Sequence, residues 1–454
     1  MERSKAQEAQ FKKMTETPIK PLIVSLSIPT IISMLVSSFY NMADTFFVSQ
    51  LGTSASGAVG IVFPLMVVIQ AVGFTFGTGA GALNSRLLGA KKNDEANTIT
   101  STAFFTAIFL GLLITVVGIT NLDAVMTLIG ATETILPYAR AYGQYILFGA
   151  PFMAASYVLN NVLRSQGRAK LSMFGLAIGG LINVVLDPIF IFVFELGTAG
   201  AAIATLISQL ISFSILLSFF LRGKSLTFLS VKRISRNWKD YYRIVTTGLP
   251  SFARQAMTTV ASISLNTMAR SYGGDAAISA MAIVSKIYSF IFSALLGFGQ
   301  GYMPVAGYNF GAKKFTRVRE AYLFFVKTGT VIMTSLAVIF FLLAPQIITA
   351  FVPGDPTVTK IGAMALRFQC LMMPFVPIST SCNMTFQQIG RSWLATILSF
   401  LRQGIWFLPL ILTLPRMLDV TGVALSQPLA DGLTFLTCLP FAIDFLRKLP
   451  KEDQ

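Results

Sequence analysis

The stretch GGLINVVLDPIFIFVF, residues 179–194, places one carboxylate, Asp187, among apolar side chains and follows it at once with Pro188. In water a run this apolar folds into a core, where a lone acid has no reason to sit. In a bilayer the same run is a crossing helix, and an ionisable residue within it is functional by default. Composition decides between the two solvents. Of 454 residues, 54% are hydrophobic and 12% charged, with a mean hydropathy of +0.70. A chain this apolar cannot cover itself with polar surface, so it is a membrane protein.

Outward from this stretch, apolar runs of about 20 residues or more recur between polar breaks, each long enough to cross roughly 30 Å of hydrocarbon. Twelve are predicted, at 20–47, 56–83, 97–120, 135–161, 170–194, 198–221, 242–269, 276–303, 319–344, 360–386, 393–414 and 420–446. The expected class is an all-α integral membrane protein of twelve transmembrane helices. Lys and Arg crowd the N-terminal segment and the even-numbered breaks, as at Arg86, Lys91 and Lys92, or Lys313, Lys314 and Arg317. Odd breaks hold isolated cases such as Arg140 and Arg270. The positive-inside rule therefore puts both termini in the cytoplasm, and most of the net charge of +16 is topology. Nucleic acid is not expected as a partner, because the basic residues are not interleaved with aromatics on one face.

The sixth break is the longest and most basic. It divides the chain into a cytoplasmic tail at 1–19, a first lobe at 20–221, a basic linker at 222–241, a second lobe at 242–446 and a C-terminal tail at 447–454. The lobes are repeats. GTGAGALNSRLLGAKK (77–92) aligns without gaps on GQGYMPVAGYNFGAKK (299–314), 222 residues later. PFMAASYVLNNVLRSQGR (151–168) aligns on PFVPISTSCNMTFQQIGR (374–391) at 223, and TAGAAIA (198–204) on VTGVALS (420–426) at 222. An even number of spans per copy gives both the same orientation, which implies a pseudo-two-fold axis along the membrane normal and a central cleft.

The repeats differ where chemistry is expected. Asp44 and Asp187 have no acidic counterpart in the second copy. Counted from Lys20 and Lys170, both lie in the outer half of the bilayer, at a height that Thr205 and Tyr142 also reach. Asn183 shares a helix face with Asp187, and Tyr40 with Asp44, each four residues apart. Pro188 cannot donate an N–H, so the Val184 carbonyl is expected to lose its helical partner and the helix to bend there as a hinge. A freed carbonyl beside a carboxylate suits a proton or a small cation, with Na+ able to use Asp44, Asn183, Asp187 and Thr205. Histidine is absent, leaving carboxylates as the natural proton carriers. The second copy carries Arg254, Lys286, Arg402 and Asp431 within its spans, and Asp431 is expected to neutralise Arg402 or Lys286.

No metal site is read: Cys370, Cys382 and Cys438 lie in apolar runs without ligand spacing, and no cofactor is expected beyond a coupling ion, H+ or Na+. The Gly-rich run at 77–89 lies inside a hydrophobic span with no strand before it, so it reads as close helix packing rather than a phosphate loop. No nucleophile–base pair is recognisable, and an enzyme is not expected. The polar start of the chain lacks the apolar core of a removable signal peptide.

In IPTIISMLVSSFYNMADTFFVSQLG, LRSQGR, LINVVLDPIF and GTAGAAIAT the chain resembles the multidrug and toxic compound extrusion (MATE) family over essentially its whole length. The resemblance implies a V-shaped pair of six-helix lobes in a bacterial inner membrane, acting as a monomer. It implies antiport, in which lipophilic organic cations are exported as H+ or Na+ enters. It also implies an ion-coupling cluster in the first lobe, matched here by Asp44, Asn183, Asp187 and Thr205 with Tyr40 and Tyr142 in support. One branch of the family has acids in helices 7 and 10, where this chain has Arg254, Gln255 and no acid, so the resemblance is to the branch coupled through the first lobe. The alternative is a flippase for a lipid-linked saccharide or cell-wall precursor, which would use Arg254, Lys286 and Arg402 to hold pyrophosphate.

Overall fold

The computed structural model describes residues 2–453, and it is helical throughout. Ten helices among the described residues are long and apolar enough to cross a membrane, and two of these are double. Trp238–Gly311 has 74 residues, or about 110 Å at 1.5 Å per residue, and 392–448 has 57. Neither is one rod. The first breaks at Gly274 (φ 60°, ψ −154°) and the second at Asp419 (φ 49°, ψ −133°), inside the breaks the hydropathy pattern predicts, so the chain crosses twelve times.

In chain order, α1 is Glu2–Glu16, α2 Ile19–Ser49, α3 Thr53–Gly89, α4 Asn93–Thr120, α5 Leu122–Leu128, α6 Leu136–Ser165, α7 Ala169–Pro188 and α8 Gly197–Leu221. The second half follows with α9 Trp238–Gly311, α10 Phe315–Leu342, α11 Ala344–Phe351, α12 Pro356–Met372, α13 Val376–Gln388, α14 Ser392–Phe400 and α15 Phe407–Lys448.

The backbone repeats along with the sequence. Left-handed residues recur in pairs 222 to 224 apart: Gly52 and Gly274, Lys91 and Lys313, Gly130 and Gly354, Gly167 and Gly390, Gly197 and Asp419. These are the points where one helix turns into the next. Where the second copy has Asp419 in place of glycine, it uses one of the few side chains that tolerate this region. The short helices α5 and α11 also begin 222 residues apart, a match hidden from hydropathy because neither is long enough to span.

The halves meet at the end of the bundle that carries the basic breaks. There the glycines of α3 and α9 let backbones touch. A Cβ on Gly79 would strike the carbonyl of Ile244, one on Gly248 that of Thr75, and one on Gly311 that of Arg86. The Gly-rich run at 77–89 is thus close packing, as its position in a span predicts. Ser27 and Thr30 of α2 donate to the carbonyls of Phe298 (3.1 Å) and Gly297 (2.6 Å). Ser85 donates to Gln388 Oε1 at 2.9 Å. Beyond Ser38 and Ser293 (3.2 Å), no hydrogen bond joins the halves toward the other end among the described residues, and the cleft opens there.

The segment 1–19, expected as a tail, is mostly the helix α1. Its sequence is polar overall, but Met14 is fully buried and Phe11 partly so. Gln7 and Gln10 donate to the Leu226 and Gln166 carbonyls on one side, while Asn309 and Arg317 donate to the Met14 and Thr17 carbonyls on the other. Composition read as a tail because so few apolar residues hold the helix down.

Candidate functional site

In four helices of the first half, polar side chains recur on one face at helical spacing and point inward. On α2 these are Ser37, Tyr40, Asn41 and Asp44, on α6 Tyr157, Asn160, Asn161 and Arg164, and on α8 Thr205, Ser208, Gln209 and Ser212. Helix α7 supplies Gly179, Gly180, Asn183 and Asp187. A polar stripe in a helix whose other faces meet lipid must look into the bundle, where its groups find partners or water. Together these faces, with Gln70 of α3 and with Gln255 and Gln300 of α9 from the second half, line a cavity of about 220 Å³ that Tyr40, Asn183 and Thr205 border.

At its outer side lie the two acids. Asp187 is fully buried, and the Asp44 and Asp187 carboxyl groups lie within hydrogen-bonding reach of each other. Asn183 Nδ2 donates to Asp187 Oδ1 at 3.2 Å and to Thr205 Oγ1 at 3.4 Å. Buried Tyr142 is close enough to feel both carboxylates and Tyr40, and the Tyr40 ring packs on Gly180, where the missing Cβ admits it. All six first-half residues picked from the sequence therefore converge, from α2, α6, α7 and α8.

The pair is short of partners. Asp44 Oδ1, Asp187 Oδ2 and Asn183 Oδ1 are buried oxygens that accept no hydrogen bond, and among the described residues no Lys or Arg forms an ion pair with either acid. Two touching carboxylates cannot both carry charge out of water unless a positive ion sits with them. The donor set is all oxygen, which suits a proton or an alkali cation. No group of three or more acidic, Cys or His side chains suited to a heavier metal occurs among the described residues.

At Pro188 the helix changes pitch. The proline keeps helical angles (φ −63°, ψ −31°), and the chain passes directly into a wider π turn over Ile189–Val193. The missing N–H is accommodated by changing helical pitch, a common device where a proline interrupts the ladder near a site.

The second-half charges fall into a different pattern. Arg402 Nε donates to Asp431 Oδ1 at 2.7 Å, with the acid almost wholly buried, and Gln369 and Gln427 donate to the same carboxylate. Every acceptor of Asp431 is taken. Of the two partners foreseen, Arg402 is the one used, while Lys286 is exposed. Arg254 donates only to the neutral Asn383 Oδ1 at 3.2 Å.

Sequence reasoning missed Gln70, Ser156, Ser208 and above all Arg164, all of which line the first-half cavity. The i, i+3, i+4, i+7 stripes are the signal that marks the ones on α6 and α8, which single i, i+4 pairs do not reveal. Arg164 sits at the cavity floor, away from the acids, and its Nη1 crosses to Gln300 Oε1.

The MatE family profile matches this chain twice, at residues 29–189 and 250–412, with starts 221 and ends 223 residues apart. The chain belongs to the MatE family. The two matches coincide with the internal repeat, so each half is one MatE unit. Curated relatives include the multidrug export protein MepA of Staphylococcus saprophyticus, 26% identical over 92% of both chains, and that of Staphylococcus haemolyticus, 27% identical over 93% of each. Among solved structures, a MATE protein in complex with MaL6 superposes with a TM-score of 0.92 at 25% identity, covering 97% of this chain and 99% of that one. A MATE multidrug resistance transporter described as outward-facing gives 0.90 at 25% identity, covering 96% and 100%. The MatE chain is thus a multi-pass membrane transporter with the MATE fold, not an enzyme, and MATE transporters are ion-coupled antiporters.

Proposed function

We propose that this chain exports lipophilic organic cations in exchange for H+ or Na+ taken up at Asp44 and Asp187. One observation carries the reading: two neighbouring carboxyl groups, Asp187 fully buried and Asp44 partly so, with unpartnered oxygens and, among the described residues, no Lys or Arg paired to them. Loading one positive ion removes the repulsion between them and draws α2 toward α7. Losing it restores a charge that attracts a cationic cargo. Asn183 and Thr205 orient the acids, Tyr40 and Tyr142 wall them off, and the π turn after Pro188 gives α7 the freedom to shift. Curated relatives described as multidrug export proteins support the cargo class.

The basic end, with α1 and the 222–241 linker, is placed in the cytoplasm by the positive-inside rule. The open end of the cleft then faces outward, and lobes 20–221 and 242–446 rock about the glycine seam. A membrane potential of about 100 mV contributes roughly 2.3 kcal/mol per net charge moved, and a pH unit roughly 1.4 kcal/mol per proton. Exchange of one H+ for one monovalent cation would draw on the pH gradient alone. The test is dye efflux from vesicles with pH and Na+ gradients imposed separately. Efflux that ignores both gradients overturns the reading.

The flippase alternative rests on Arg254, a cation within a second-half span that bonds only to a neutral amide. Pairing of Arg402 with Asp431 and exposure of Lys286 reduce the positive charge left for a pyrophosphate. Binding assays that set a lipid pyrophosphate against a lipophilic cation separate the two.

A further inference from the structure

We propose that the second half holds a small monovalent anion, a halide or a carboxylate, between Arg254 and Arg402. Arg254 and Arg402 both line one cavity of about 60 Å³ among α9, α13 and α14, room for one small anion and a water or two. The remaining polar wall is hydroxyl and amide, from residues such as Thr258, Ser379, Thr380 and Asn383, and no carboxylate faces it.

The charge there does not balance. Asp431 lies outside this cavity's lining and is bound to Nε and Nη2 of Arg402, leaving Arg402 Nη1 without a protein acceptor. Arg254 has only Asn383 Oδ1. That amide is fixed by its own Nδ2, which donates to the Ala395 carbonyl (2.7 Å) and Ser399 Oγ (2.6 Å), so it holds Arg254 in place without neutralising it. Arg254 is near enough to Arg402 for the charges to repel, and near enough to Arg164 across the seam for a third to join them. Three half-buried cations against one committed acid are a costly arrangement that a single anion offsets. Arg also presents planar donors suited to a carboxylate.

The consequence reaches the cleft. A cationic cargo entering from the open end would be repelled by Arg254 and Arg164, and an anion at this site removes part of that repulsion. The acid pair of the first half takes no part, so the site stands or falls apart from the coupling mechanism.

The test is thermal unfolding of the full-length purified protein, titrated with sodium chloride, sodium acetate or sodium gluconate at constant ionic strength. The expected result is a saturable rise in Tm with chloride or acetate and none with bulky gluconate. Chloride activity identifies a free inorganic ion as the source, and activity of acetate alone identifies a carboxylate on a carried molecule. Arg254→Gln is expected to weaken the response roughly tenfold or more, with Arg254→Lys keeping part of it. Should Arg254→Gln fail to fold, bromide soaked into crystals of the unaltered protein gives the second measurement, an anomalous peak between the two guanidinium groups. No saturable response, a response that Arg254→Gln leaves intact, or the absence of that peak overturns the proposal.

Discussion

Arg164 of α6 donates from Nη1 to Oε1 of Gln300 on α9 at 2.8 Å, so a guanidinium from the first half is held by an amide from the second. A second donor, Nη2, is held by Asn161 Oδ1 on its own helix. Gln387 stands at the matching place in the second repeat, so this cation breaks the symmetry at the floor of the cleft. A half-buried cation at the floor of the cleft is a barrier to H+ and Na+. Arg164→Gln is therefore expected to raise ion leak in cargo-free proteoliposomes, read with a pH-sensitive or Na+-sensitive dye. Leak unchanged from the unaltered protein counts against a barrier role.

The acid pair predicts a split between binding and coupling. Asp187→Asn is expected to cut gradient-driven efflux about tenfold or more, since an uncharged amide cannot release the ion that resets the site. Thr205→Ser keeps the hydroxyl and is expected to keep most activity, whereas Thr205→Val removes an acceptor for Asn183 and is expected to lower it. Transport rates in vesicles under a fixed gradient check the order.

The Arg402–Asp431 pair predicts an asymmetry in stability. Asp431→Asn leaves a half-buried guanidinium without its counter-charge and sets an amide NH2 against the donor of Gln369 or of Gln427, costing about 3–5 kcal/mol. Replacing both partners by apolar residues of similar volume is expected to cost far less. Unfolding of the single and double variants in detergent, compared in one cycle, measures the difference.

The glycine seam predicts sharply local effects. Gly248→Ala puts a methyl against the Thr75 carbonyl, backbone that cannot swing away, and is expected to destabilise the closed floor by about 1–3 kcal/mol. Gly60 has nothing within 4 Å of its Cβ position, so Gly60→Ala is expected to be neutral or slightly stabilising by removing unfolded-chain freedom. Thermal unfolding of the two variants tests the contrast.

Hydropathy and the 222-residue repeat were enough to place twelve crossings, because in hydrocarbon a backbone must satisfy itself within each helix and few folds remain possible. Asp44, Asn183, Asp187 and Thr205 were legible for a related reason: polar groups stand out against an apolar background, and helical geometry fixes which way they face. Sequence could not decide which charges meet. Whether Asp431 takes Arg402 or Lys286, whether Arg164 reaches Gln300, and whether Arg254 is left without an acid depend on how helices far apart in the chain pack, to within an ångström. The same holds for α1, whose few apolar residues carry little signal until the floor they dock against exists, and for Pro188, whose missing hydrogen bond can be absorbed by a bend or by a wider turn. Local chemistry settled what crosses the membrane; packing between distant segments settled which buried charges find partners and which do not.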